Sequence, residues 1–297
     1  MQRHFDRAAE DLGNVVHLEH VNVQIPDQRL AGLFYCAGLG LTRDPYLMVS
    51  DDNMWINVGR SQFHLPTGKA QVLRGHTGIV IEGREALLTR LAKVRPKLAD
   101  TRFDFHEHND YVEASCPWGN RIRCYEPDTA RFGRVTLGIP YVEFDVPIGS
   151  AEGICRFYRE VIDAPSALTN GDGTVARVRV GKDQHLLFRE TDRPLPAFDE
   201  HHVQIYIVNF SQPHRRLSER NLITIEDNQY QYRFRDIIDL ASGKVLFTVE
   251  HEVRSLTHPM FLRALVNRNP AQTNRNYAHG HDQAQWAMGP EYYDNPA

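Results

Sequence analysis

One phrase occurs twice in this chain, and that repeat limits what it can fold into more than any other feature. Leu18-Glu19-His20-Val21-Asn22-Val23-Gln24-Ile25-Pro26 returns as Ile139-Pro140-Tyr141-Val142-Glu143-Phe144-Asp145-Val146-Pro147. Further matches keep nearly constant spacing. His20 answers Tyr141, Phe34-Tyr35 answers Phe157-Tyr158, Gln62 answers Gln184, His76 answers His202 and Gly119 answers Gly243, all at offsets of 121 to 126 residues. Self-similarity at a fixed period means that one structural plan is used twice, and the small drifts place insertions in loops.

Within each copy the pattern subdivides. Polar and apolar residues alternate through the opening phrase, so that His20, Asn22 and Gln24 share one strand face and Val21, Val23 and Ile25 the other. Apolar residues at Leu30, Leu33, Phe34 and Ala37 then recur at helical spacing up to a Gly38-Leu39-Gly40 stop. Three short strands follow at Tyr46-Ser50, Met54-Val58 and Gln62-Leu65, separated by turn sequences. The same βαβββ order recurs with a strand from His76, an amphipathic helix from Arg84 to Leu98, and strands at Phe103-His106, Tyr111-Ser115 and Arg121-Tyr125. The expectation is an α+β fold of four βαβββ units in two tandem modules, each a curled mixed sheet around a cavity with helices outside. Residues 1-16 form a lead, 17-127 the first module, 136-253 the second and 254-297 a tail. Phe188 to Glu200, rich in Pro and charge, reads as the loop between the units of the second module.

Composition narrows the function. At 297 residues and 41% hydrophobic content the chain can bury two sizeable cores without staples. A net charge of -4 offers no basic footprint for nucleic acid or an acidic membrane. Cys36, Cys116, Cys124 and Cys155 form no CxxC pair, which favours a reduced, cytoplasmic protein. The polar N-terminus has no signal-like apolar run, and no stretch of about 18 apolar residues occurs. A small molecule is the expected partner, with neither nucleic acid nor membrane, and a homo-oligomer fits as well as a monomer.

Paired βαβββ units whose first strand opens on His, and whose closing strand follows Trp118-Gly119-Asn120-Arg121-Ile122-Arg123-Cys124-Tyr125-Glu126-Pro127, resemble the vicinal oxygen chelate superfamily of glyoxalases, extradiol dioxygenases and bleomycin resistance proteins. The resemblance spans roughly residues 17 to 253, and two fused modules look most like the two-domain dioxygenases. It implies a divalent metal (iron, zinc or manganese) binding vicinal oxygens of a substrate, with ligands from the opening and closing strands of each unit. Carried over within the first module, those positions are His20, His64 and His76, while the family's glutamate falls on Arg123. Arginine has no lone pair to offer a metal, but it can hold an anionic substrate group. Arg121, Tyr125 and Asn22 complete the expected substrate face. Glu126, three residues beyond Arg123, points to the opposite face of the strand. In the second module the resemblance offers Tyr141, His202 and Phe247 where the family has His, His and Glu, with Glu143 beside Tyr141. No catalytic residue stands out. The implied function is a metal-dependent enzyme of the dioxygenase, lyase or isomerase type acting on a small oxygenated molecule, aromatic or anionic. The alternative is a metal-free binding or resistance-type protein. His106-Glu107-His108 reads as a solvated strand end, and His279-Gly280-His281-Asp282 as a polar part of the tail.

Overall fold

The computed structural model describes residues 6–46, 52–266, 272–273 and 277–279. Four βαβββ units follow one another. The first has β1 (Val15–Asn22), α1 (Gln28–Ala31, continued as a π-helix over Gly32–Gly38), β2 (Thr42–Arg43), β3 (Asn53–Val58) and β4 (Ser61–Pro66). The second has β5 (Gly75–Val80), α2 (Arg84–Val94), β6 (Asp104–Glu107), β7 (Val112–Ser115) and β8 (Arg121–Tyr125). After a short linking helix α3 (Thr129–Phe132), the third has β9 (Gly138–Pro147), α4 (Ala151–Phe157), β10 (Ser166–Gly171), β11 (Gly173–Gly181) and β12 (Gln184–Thr191). The fourth has β13 (His202–Ile207), α5 (Ser211–Ser218), β14 (Ile223–Asn228), β15 (Gln231–Ile238) and β16 (Val245–Ser255).

Two eight-stranded mixed sheets result, in the orders β14-β15-β16-β13-β1-β4-β3-β2 and β10-β11-β12-β9-β5-β8-β7-β6. The α+β expectation of four units holds, but the partners differ from sequence order. The first unit joins the fourth, through the antiparallel β1–β13 pair, and the second joins the third, through β5–β9. Residues 17-127 therefore do not close a sheet of their own, and neither do residues 136-253. Gly75 shows how closely β5 and β9 meet: its φ is +152°, and a Cβ there would lie 1.8 Å from the Glu143 carbonyl oxygen. Gln184 ties the two sheets together, because its buried amide donates to the Leu18 and Ile139 carbonyls and accepts from the Leu18 N–H, each at 3.0 Å.

The helices start and pack for local reasons. Asp27 caps α1 by accepting from the Leu30 N–H. Glu126, just past the end of β8, accepts from the N–H groups of Gly83 and Arg84 at the start of α2, so it lies on the helix side. Val21, Val23 and Ile25 of the opening strand are buried in the same core as Phe34, Leu87 and Leu91. Burying each such large side chain contributes about 1.5–3 kcal/mol. That fixes the apolar face outward toward the helices and turns the polar face into the concavity.

The strand expected at Tyr46-Ser50 lies mostly outside the described residues, and β2 supplies the edge instead. His281 and Asp282 also lie outside them. Among the described residues no helix is long and apolar enough to cross a membrane.

Candidate metal centre

The register of the four central strands of the first sheet places their polar residues in two rows. Asn22 pairs with His202 on one side and with His64 on the other, and His202 pairs with Glu250. One step along, His20 pairs with Gln204 and with Gln62, and Gln204 pairs with Glu252. Residues two apart share a strand face, so these eight residues, from β16, β13, β1 and β4, line one concave surface. Most are buried, His20, Gln62 and Gln204 completely.

Three imidazoles converge there. One ligand atom from each of His20, His64 and His202 lies within 4.8 Å of the others. Each ring is held from behind. Glu19 accepts from His20 Nδ1 at 2.5 Å, which leaves Nε2 as the free lone pair. Asn53 Oδ1 meets His64 Nε2 at 2.8 Å, which leaves Nδ1. Trp55 stacks on the same ring with centroids 3.8 Å apart. His202 has Glu250 3.5 Å from Nδ1 and Glu252 3.5 Å from Nε2. The Nε2 atoms of His20 and His202 are buried with no hydrogen-bond partner among the described residues. Lone pairs kept dry and unpaired normally cost free energy, and a metal ion is the partner that satisfies several at once.

Electrostatics suit that role. Burial, with His20 nearby, holds both His64 and His202 well below the ordinary imidazole value, so both rings are neutral at pH 7, as ligands must be. Burial raises the Glu252 carboxyl, but Arg254, His20 and Arg233 outweigh it and bring the group down to about 2. Arg233 and Arg254 each donate to or pair with it at 2.6 Å. A carboxylate has about four lone-pair directions, so Glu252 can serve as a fourth donor while held this way. His ligands backed by carboxylates are the usual second layer of a metal site.

His76 is not part of this cluster. It stands on β5 in the second sheet, where its Nε2 meets the Tyr141 hydroxyl at 3.0 Å. His202 takes its place, since the units pair across the two halves of the chain. On β16 it is Glu252, not Phe247, that comes near these rings, 3.5 Å from His202 Nε2. The β15–β16 hairpin is longer than β7–β8 and irregular between Phe234 and Asp236, so counting from the glycine turn stops five residues short. The expected substrate face divides accordingly. Asn22 borders the histidines, whereas Arg121, Arg123 and Tyr125 belong to the second sheet with Tyr141 and Glu143. Arg121 donates to the Gly75 carbonyl, Arg123 to Glu113, and Tyr125 shares a hydroxyl contact with Tyr141.

Residues 260–263 lie over the concave face of the first sheet. Arg263 reaches in, buried, and donates to the Asp44 carboxylate at 2.6 Å and to the Gln62 side-chain Oε1 at 3.1 Å. Phe261 packs on Tyr206 at 4.8 Å. A cavity of about 210 Å³ remains between this segment and β1, lined in part by Glu19, Arg60, Met260 and Arg263.

No family model and no curated protein matches the chain. Solved structures do match. A protein from Bacillus subtilis subsp. subtilis str. 168, provisionally assigned as a dioxygenase, is 16% identical over 95% of this chain and 94% of its own, with a TM-score of 0.55. Glyoxalase I from Zea mays is 13% identical over 81% of this chain and 92% of its own, with a TM-score of 0.55. Taken with the two sheets of βαβββ units, these likenesses establish the architecture: the chain has the vicinal oxygen chelate fold.

Proposed function

We propose that the protein is a metal-dependent enzyme acting on a small oxygenated molecule, with one divalent ion, iron, zinc or manganese, held by His20, His64, His202 and Glu252. The observation that carries this reading is the convergence of three imidazoles, two of which, His20 and His202, keep an unpaired buried nitrogen. Imidazole suits iron and zinc, whereas a carboxylate is the better donor for manganese. Such an ion, when bound, supplies a Lewis acid for the vicinal oxygens of a substrate.

The chain's own residues supply the rest. Glu19, Asn53 and Glu250 orient the rings, and Trp55 walls one side. Asn22 and Gln204 offer side-chain polar atoms without partners among the described residues, which can hydrogen-bond a substrate beside the ion. Met260 and Arg263 cover the open side and exclude water from it.

Catechol, a molecule with two adjacent oxygens, tests the reading by calorimetry. It should bind iron-loaded parent protein and fail to bind after chelator treatment or in His202→Ala. Binding that persists unchanged after chelation favours the metal-free alternative instead.

A further inference from the structure

The second sheet repeats the two polar rows with their charge inverted. There Glu143 pairs with His76 and with Leu187, and Tyr141 pairs with Gly78 and with His185, while Gly78 pairs with Arg123. Position by position, Tyr141 stands for His20, Leu187 for His64, His76 for His202 and Arg123 for Glu252. Leucine and arginine are not metal ligands, so the second concavity is unsuited to a cation. It is nevertheless hollow, with a cavity of about 230 Å³. Gly78 makes room for the Tyr141 ring, since a Cβ there would lie 2.2 Å from it.

We propose that this cavity is a second, metal-free site that binds a small aromatic carboxylate. Four guanidinium groups line it, Arg123, Arg131, Arg177 and Arg189, against two carboxylates, Glu143 and Asp183. Arg189 is committed to Glu143 through two contacts, and Arg131 to Asp110 through one terminal nitrogen. Arg123 engages Glu113 through Nε, which leaves its terminal nitrogens for a ligand. Arg177 has no carboxylate partner among the described residues; its contact is His185 at 3.5 Å. A planar guanidinium with free N–H groups matches a carboxylate in two parallel hydrogen bonds.

The floor is apolar. Tyr125, Tyr141 and Phe132 form a small buried cluster with Leu187 packed against it, so an aromatic body has a surface to cover while its charge meets the arginines. The field agrees. Burial, followed by Arg177 and Arg179, pushes His185 down to about 4. Burial, followed by Arg123, Arg121 and Arg189, pushes His76 down to about 2.

Calorimetry with benzoate at low ionic strength tests the site on the full chain, independently of the metal reading. The expected result is one benzoate per chain in the parent and in His202→Ala, at least tenfold weaker binding in Arg177→Gln and in Arg123→Gln, and none for benzyl alcohol. Binding should also weaken severalfold on adding salt to about 1 M, where charge interactions are screened within roughly 3 Å. Circular dichroism establishes that each variant is folded, and the salt series needs no variant. The proposal is overturned by absence of benzoate binding at millimolar concentration, by equal binding of benzyl alcohol, by salt-independent binding, or by benzoate lost in His202→Ala and kept in both arginine variants. Inorganic phosphate competing as well as benzoate overturns the aromatic part.

Discussion

Arg263→Met should cost about 3–4 kcal/mol, because it strands a buried carboxylate. Arg263 and Asp44 pair at 2.6 Å with side chains 2% and 0% exposed. Removing one partner of such a pair costs about 3–5 kcal/mol, most of it the penalty on the charge left behind. Asp44 keeps two donors, the Gln62 amide at 2.5 Å and the Tyr46 N–H at 2.8 Å, which holds the figure at the low end. Loss of the guanidinium from its place 4.9 Å over the Tyr46 ring adds about 0.5–1 kcal/mol. With an m-value of about 3 kcal/mol/M in urea, the denaturation midpoint should fall by about 1 M. Asp44→Asn in the same background removes the stranded charge, so the double variant should be about 2 kcal/mol more stable than the two single costs imply. A cost below about 1 kcal/mol for Arg263→Met, or strict additivity in the cycle, would refute the claim that this pair pins residues 260–263 over the concave face.

Other consequences follow from the same geometry. Glu19→Gln should weaken metal binding about 10–100-fold, as loss of a carboxylate behind a ligating imidazole does; competition against a fluorescent chelator measures it, and an unchanged affinity would argue that His20 is not a ligand. In the metal-free protein, stability should fall with pH in two windows. His64 and His202 are depressed in the folded state, so below the unfolded value of about 6.5 the unfolded chain takes up protons that the native rings do not, at about 1.4 kcal/mol per pH unit per proton. Glu19 and Glu252, both near 2 when folded, stabilise above their unfolded value, and that stabilisation is lost as pH falls from about 5 toward 2. Urea midpoints across pH should show both windows, and His202→Gln should flatten the upper one; a pH-independent midpoint between 7 and 4 contradicts the assignment. Trp55 stacks on His64, so cobalt should quench tryptophan emission in the parent and have little effect in Trp55→Phe.

Most of the architecture is legible in the chain because it rests on local pattern. Alternation in Leu18-Pro26 assigns the faces of β1, helical spacing finds α1 and α2, and the constant offset exposes the repeat. Which units share a sheet is not legible. Four similar units can close first with second or first with fourth, and the choice is made by long-range pairing of β1 with β13 and β5 with β9, which leaves no mark on periodicity. His20 and His64 could be located because both belong to the first unit. His202 belongs to the fourth unit, so only the long-range pairing of β13 with β1 brings it beside them. Glu252 was hidden by the longer β15–β16 hairpin, although Glu250-His251-Glu252 inside an apolar strand was a signal. His251 itself faces the core, with its Nε2 2.6 Å from the Tyr158 hydroxyl. Arg123 takes the register position in the second sheet that Glu252 holds in the first, and it lines a different cavity from His20.

Metal content decides the central claim most directly. Protein purified without a polyhistidine tag, loaded with iron(II), zinc or manganese and desalted, should retain about one ion per chain by elemental analysis. His202→Ala should retain essentially none, while His76→Ala should match the parent. Retention in His202→Ala together with loss in His76→Ala would contradict a centre built across the first and fourth units.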